Sequence, residues 1–274
     1  MKALVLCGGG VAGISWMLGI VEGLAGGGVE LVEADQISGT SAGACVAAQI
    51  ATGARAEAIE LQRQTESAEI VVPFAIDEFL AAIDRARAEE PTEAAALVRI
   101  ANMEPLGPHI SEAERRAVIA ARLPRQEWPE RRLVINAIDA ETGEWVRFDR
   151  DSGVSLLDAV TASTALPGIW AAATVNGRRY VDGGIRSLSN VDAAAGYDRV
   201  VILAPTEISD SVRSHIDAES AAIAPAKVHL ISLSPASVEA IGDNPLDPIH
   251  RRPALEAGIA QAADDLAAVR EFWA

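Results

Sequence analysis

Cysteine, histidine and aromatic residues are scarce in this chain. Among 274 residues only Cys7 and Cys45 are cysteines, and they form neither a disulfide framework nor a zinc-ligand pattern. There are four histidines, with no H-E-x-x-H motif and no EF-hand loop, so no metal or other cofactor is expected. Aromatics make up 4% of the chain while hydrophobic residues make up 50%, so the core has to be built from Ala, Val, Leu and Ile. That hydrophobic content excludes disorder as the dominant state. Basic residues are outnumbered 23 to 39, giving a net charge of −16. Such a surface repels phosphate backbones, and the basic clusters are as short as Arg131-Arg132 and Arg251-Arg252, so no nucleic-acid partner is expected. The apolar stretches break well before the ~18 residues a membrane span needs. The start, Met1-Lys2 and a short apolar run into glycines, makes a poor signal peptide, so a cytoplasmic location is expected. Peripheral contact with a membrane stays open, and nothing in the sequence speaks to oligomeric state.

The pattern that is present reads as α/β. Residues 3–7 predict a buried strand, broken at once by Gly8-Gly9-Gly10-Val11-Ala12-Gly13, and Ile14 to Leu24 carry helical apolar spacing ended by Gly26-Gly27-Gly28. A short strand is expected near 29–32. Ile37-Ser38 lead into Gly39-Thr40-Ser41-Ala42-Gly43 and an Ala-rich helix to about Thr52. Strand, glycine turn and helix thus occur twice within 53 residues. Residues 54–123 read as helical, with Ser111 and Glu114 forming a capping box before a helix over 112–122. Strands are predicted at 132–138, 144–148, 199–203 and 228–233. A hairpin is predicted over 171–181 around Asn176-Gly177, with helices over 156–165 and 254–271. The polar stretch 204–227 suggests a loop. Ile70 to Ile76, an apolar run in charged surroundings, reads either as a buried joining segment or as a lipid-contact lid.

The chemistry concentrates in a few short segments. Gly39-x-Ser41-x-Gly43 between a strand and a helix has the form of a nucleophile elbow, the alternative being an ordinary glycine turn with Ser41 as a helix cap. An acyl-transfer nucleophile also needs a base and an oxyanion hole. The amides of Gly8, Gly9 and Gly10 suit the second, because no side chains obstruct them. Gly8-x-Gly10-x-x-Gly13 equally fits a dinucleotide fingerprint, with Glu30 or Glu33 near the ribose-binding spacing. The base is less obvious. His109, His215, His229 and His250 sit in no motif, and His229 in an apolar strand reads as structural. Asp182, where a strand-like run meets Gly183-Gly184, is a better candidate, although Asp-Gly also closes ordinary hairpins.

Taken in order, Gly8–Gly13, Gly39–Gly43, Ala162-Ser163-Thr164-Ala165-Leu166-Pro167 and Asp182-Gly183-Gly184 resemble the patatin-like phospholipase family of lipid acyl hydrolases. The resemblance implies a three-layer fold, a central, mostly parallel sheet flanked by helices, in a single domain over 1–274. It implies a Ser–Asp dyad without histidine, with Ser41 as nucleophile and Asp182 as base. The amides of the glycine run would hold the oxyanion, and 162–167 would shape an acyl pocket. The implied reaction is cleavage of lipid carboxylic esters as a phospholipase A, lysophospholipase or esterase, through an acyl-enzyme. The family commonly carries Arg or Lys where this chain has Ala12. Without that charge, and at a net charge of −16, neutral esters are the expected substrates. A nucleotide-binding protein and a non-catalytic acyl binder remain the alternatives.

Overall fold

The computed structural model describes residues 1–73, 76–108, 110–207 and 209–274. Phe74 and Ala75 of the apolar run, and His109, lie outside the described residues. The chain opens with β1 (Lys2–Leu6), α1 (Gly10–Gly26), β2 (Gln36–Thr40) and α2 (Ala42–Ala51). Four helices follow: α3 (Arg55–Arg63), α4 (Ile76–Glu89), α5 (Glu93–Ala101) and α6 (Glu112–Arg122). Next come β3 (Arg132–Asp139), β4 (Trp145–Phe148), α7 (Leu156–Ser163), β5 (Ala173–Val175) and β6 (Arg178–Asp182). The chain ends with β7 (Arg199–Ala204), α8 (Asp210–Ala221), β8 (Lys227–Ser232), α9 (Pro235–Ile241) and α10 (Arg251–Trp273).

Among the described residues eight strands form one sheet in the order β5-β6-β3-β2-β1-β7-β8, with β4 also paired to β3. Pairings among β3, β2, β1, β7 and β8 are parallel. Those that β4, β5 and β6 make are antiparallel. Side chains alternate across a strand, and β1 shows what this does for the layers. Leu4 and Leu6 pack with α1, α2 and α10 on one face, while Ala3 and Val5 pack with Val191, Ala194 and Ile216 on the other. Strands buried on both faces read as near-continuous apolar runs, as RVVILA in β7 does. The sheet is thus mostly parallel and flanked by helices, as the resemblance implied.

Three local expectations are corrected. The segment near 29–32 is no strand: a 3-10 turn spans Leu31–Glu33, and the pairing residues are Gln36–Thr40. The polar stretch 204–227 holds α8, whose N-cap Ser209 accepts a hydrogen bond from Val212 N–H. Residues 54–123 are not continuously helical, since residues 65–73 belong to no helix. Val72 there is buried at 2% exposure beside Ile169, Trp170 and Leu246, whereas Val71 is 64% exposed. The capping box on Ser111 and Glu114 forms as expected.

Candidate active site

Parallel strands deliver their connecting turns to the same end of the sheet, and two glycine turns meet there. The first leaves β1 through Gly8 and Gly9 and enters α1 at Gly10, whose φ is +66°. Among the described residues none accepts a hydrogen bond from the N–H of Gly8, Gly9 or Gly10. These donors sit at the N-terminus of a 17-residue helix, where partial positive charge collects. Bulk is excluded here. A Cβ on Gly9 would lie 2.2 Å from Pro205 Cγ, and one on Gly10 would lie 2.6 Å from the Pro245 carbonyl oxygen.

The second turn leaves β2 at Thr40. Ser41 takes φ 56° and ψ −121°, a left-handed conformation that an L-residue holds only at a cost of about 1–3 kcal/mol. Two contacts fix it. Its N–H donates to Ser163 Oγ at 3.0 Å, and Ser163 Oγ donates in turn to the Asn136 carbonyl at 2.6 Å. The flanking residues must be glycines, because a Cβ on Gly39 would approach Gly43 O to 2.4 Å and one on Gly43 would approach Leu6 O to 2.0 Å. Gly8 lies directly beside the hydroxyl, with the position of its Cβ 3.9 Å from Ser41 Oγ.

Asp182 arrives by a different route. β3 pairs with β2 on one side and β6 on the other, in a register that sets Thr40 opposite Asn136 and Asp182 opposite Ala137. The ends of β2 and β6 therefore flank neighbouring residues of β3. Asp182 N–H donates to the Ala165 carbonyl at 3.1 Å, and its Oδ1 accepts from Gly184 N–H at 2.8 Å. Gly183 packs against the Asn136 carbonyl, which a Cβ would approach to 2.8 Å. The carboxyl is 1% exposed. Burial pushes its pKa up to about 6, against the opposing pull of the Ser41 hydroxyl, the Gly184 N–H and the Arg115 charge. The approach to Ser41 is loose. The hydroxyl stabilises the carboxylate, yet among the described residues Oδ2 makes no hydrogen bond of ordinary geometry. Such contacts commonly tighten only when substrate is bound.

All these groups open onto one cavity of about 470 Å³. Ile70, Phe79, Leu166, Trp170 and Leu246 give it apolar walls, in the size range of small-molecule sites. Of the described residues in the apolar run, Val72 is thus buried while Ile70 and Ile76 line the cavity. Of the 162–167 segment, Thr164 and Leu166 line the cavity, whereas Ser163 braces the Ser41 backbone. Among the described residues no histidine lines it. His229 instead stacks near Phe272, and His215 pairs with Glu219. Cys7, Cys45, Trp16 and Met17 are core residues. Glu30 pairs with Arg55, and both Glu30 and Glu33 precede β2. In a parallel pair with β1 that puts them at the end of the sheet opposite the glycine loop, so the dinucleotide fingerprint lacks its acidic partner.

Sequence reasoning missed the charged floor of the cavity. Arg122 holds Glu69 through two hydrogen bonds, Nε to Oε1 at 2.8 Å and Nη2 to Oε2 at 2.6 Å. Arg115 lies 4.1 Å from the centre of the Trp170 ring. One signal was available. Arg115, Val118, Ile119 and Arg122 are spaced i, i+3, i+4, i+7, so both arginines fall on the buried stripe of α6.

A family model described as patatin-like phospholipase matches residues 4–195. Two solved structures resemble the fold. VipD from Legionella pneumophila is 16% identical, with 97% of this chain and 67% of VipD covered and a TM-score of 0.47. The type III effector protein ExoU is 16% identical, with 97% and 53% covered and a TM-score of 0.44, so the chain spans about half of ExoU. No curated protein matches the sequence closely.

Proposed function

The chain belongs to the patatin-like phospholipase family, and from that premise we propose that it is a serine acyl hydrolase using Ser41 and Asp182 on lipid carboxylic esters. The observation that carries the reading is convergence. A strained serine, a buried carboxyl and glycine amides that no described residue accepts from face one apolar-walled cavity.

The mechanism follows from the positions of these groups. Ionised Asp182 accepts the Ser41 proton as Oγ attacks the ester carbonyl. The N–H groups of Gly8, Gly9 and Gly10 donate to the oxygen that becomes negative, reinforced by the α1 N-terminus. The alcohol leaves with a proton returned through Asp182, and the acyl chain stays esterified to Ser41. Water then attacks the acyl-enzyme, Asp182 takes its proton and passes it to Ser41 Oγ as the acyl bond to that oxygen breaks, and the fatty acid departs. Gly39, Thr40, Ala42 and Gly43 hold the elbow, while Gly183 and Gly184 let the carboxylate approach. The whole of 1–274 is read as one acyl hydrolase domain with peripheral access to its lipid.

A fluorophosphonate probe should label the protein, and Ser41→Ala should abolish labelling. Turnover of p-nitrophenyl esters and phospholipids should be lost in Ser41→Ala and in folded Asp182→Asn. Labelling that persists in Ser41→Ala would overturn the assignment. Fatty-acid binding with no turnover across chain lengths would make the chain a non-catalytic acyl binder.

A further inference from the structure

Arg115 is the anomaly of the cavity. It is 4% exposed, and among the described residues neither its Nε nor its Nη1 has a hydrogen-bond acceptor. A buried cation without acceptors is costly to a fold and is seldom left so. Glu69 and Asp182 attract its charge, but neither accepts a hydrogen bond from its Nε or Nη1. Glu69 is held by Arg122 through both oxygens, and Asp182 accepts from Gly184 N–H through Oδ1 and is drawn on by the Ser41 hydroxyl. Glu207 and Asp243 also line the cavity, but both are exposed and screened by water. Burial pushes the Arg115 guanidinium down to about 9, which leaves it charged at neutral pH. The guanidinium carbon sits over the Trp170 ring and the side chain lines the cavity, so an oxyanion brought in with the substrate would be received by the in-plane donors that the described residues leave unpaired.

We propose that Arg115 is a specificity residue of the Ser41 cavity that holds an oxyanion carried by the substrate, favouring acyl esters with a phosphate on the alcohol side. This rests on the hydrolase reading for the ester, but not for the anion. It reverses the expectation drawn from Ala12. The positive charge missing from the glycine loop is supplied by α6 instead. A phosphate headgroup and a fatty carboxylate present the same acceptors to Arg115, so the experiment separates them.

Binding is read first, on Ser41→Ala protein, by calorimetry with dodecyl phosphate, dodecanoate, inorganic phosphate and dodecanol. Dodecyl phosphate should bind at least tenfold more tightly than dodecanol, and Arg115→Gln should remove that advantage, as expected for a charge-assisted hydrogen bond worth about tenfold to a hundredfold. Arg115→Lys, which keeps the charge, should retain part of it, and melting curves establish that each variant is folded. Tighter binding of dodecanoate than of dodecyl phosphate, or inorganic phosphate binding as tightly as dodecyl phosphate, would overturn the headgroup assignment. Turnover is read second, as the ratio of kcat/KM for an acylglycerol phosphate to that for the same monoacylglycerol. The ratio should favour the phosphate and fall at least tenfold in Arg115→Gln, through KM. An equal loss on both substrates would refute the proposal and make Arg115 a support for Asp182. If wild-type protein hydrolyses neither ester yet binds dodecyl phosphate through Arg115, the hydrolase reading fails and the anion site stands.

Discussion

Raising the pH is expected to switch activity on and to weaken the fold through one proton, that of Asp182. Burial lifts its pKa from the ordinary 3.8 to about 6. The folded chain therefore holds this proton across a range where the unfolded chain has released it. By linkage, stability falls as pH rises from about 4 to about 6 and stays lower above that. A rise of roughly two units at about 1.4 kcal/mol each makes the ionised carboxylate cost about 3 kcal/mol. Asp182→Asn keeps the shape and an acceptor for Gly184 N–H while removing the charge. At pH 8 the variant should thus be more stable by up to about 3 kcal/mol, or roughly 6–12 °C in Tm at about 2–4 °C per kcal/mol. Near pH 4 the difference should vanish, because the native acid is then protonated too. Activity runs the other way. In the proposed mechanism Asp182 takes the Ser41 proton only when ionised, so kcat/KM should rise about tenfold per pH unit below about 6 and level off above it. The variant should lose about 10²–10⁴-fold in kcat, the usual worth of a general base. Melting curves and ester hydrolysis from pH 4 to 8, on both proteins, make the test. A stability difference that does not change with pH, or a fully active Asn variant, would refute the reasoning.

Other perturbations follow from the packing. Gly43→Ala would drive a Cβ to 2.0 Å from the Leu6 carbonyl oxygen, so soluble expression and Tm should both collapse. Ser163→Ala removes the acceptor for Ser41 N–H and should cost about 1–3 kcal/mol in urea unfolding. Its kcat should also fall, as the elbow loosens. Glu69→Gln strips the buried Arg122 of its bidentate partner and should lower stability by about 3–5 kcal/mol, measurable as a lower urea midpoint.

Much of the fold was legible because its signals are local. The strand of residues 3–7, the Asn176-Gly177 hairpin and the capping box on Ser111 each follow from a few adjacent residues. The same holds for the sharp turn at Ser41, since Gly-x-Ser-x-Gly between a strand and a helix is a statement about one turn. The misreadings came where local signals were weak. Residues 29–32 have strand-like composition but form only a 3-10 turn, because the pairing partner of β1 is Gln36–Thr40. Polar residues 210–221 looked like loop, yet Ser209 caps a helix whose Ile216 is buried against the far face of the sheet.

The sequence by itself determined the turn chemistry: where glycine lets the backbone bend, where a serine is thrust out of line, and where an acid ends a strand. Those properties depend on covalent geometry and on neighbours one or two residues away. Tertiary structure alone decided that β3 would bring Asp182 beside Ser41, and that its carboxyl would be dry enough to hold a proton near neutrality. It also decided that Arg115 would line the cavity with two buried donors left unpaired among the described residues. Desolvation and Coulomb forces depend on what lies nearby in space, and residues 41, 115 and 182 become neighbours only once the sheet has paired.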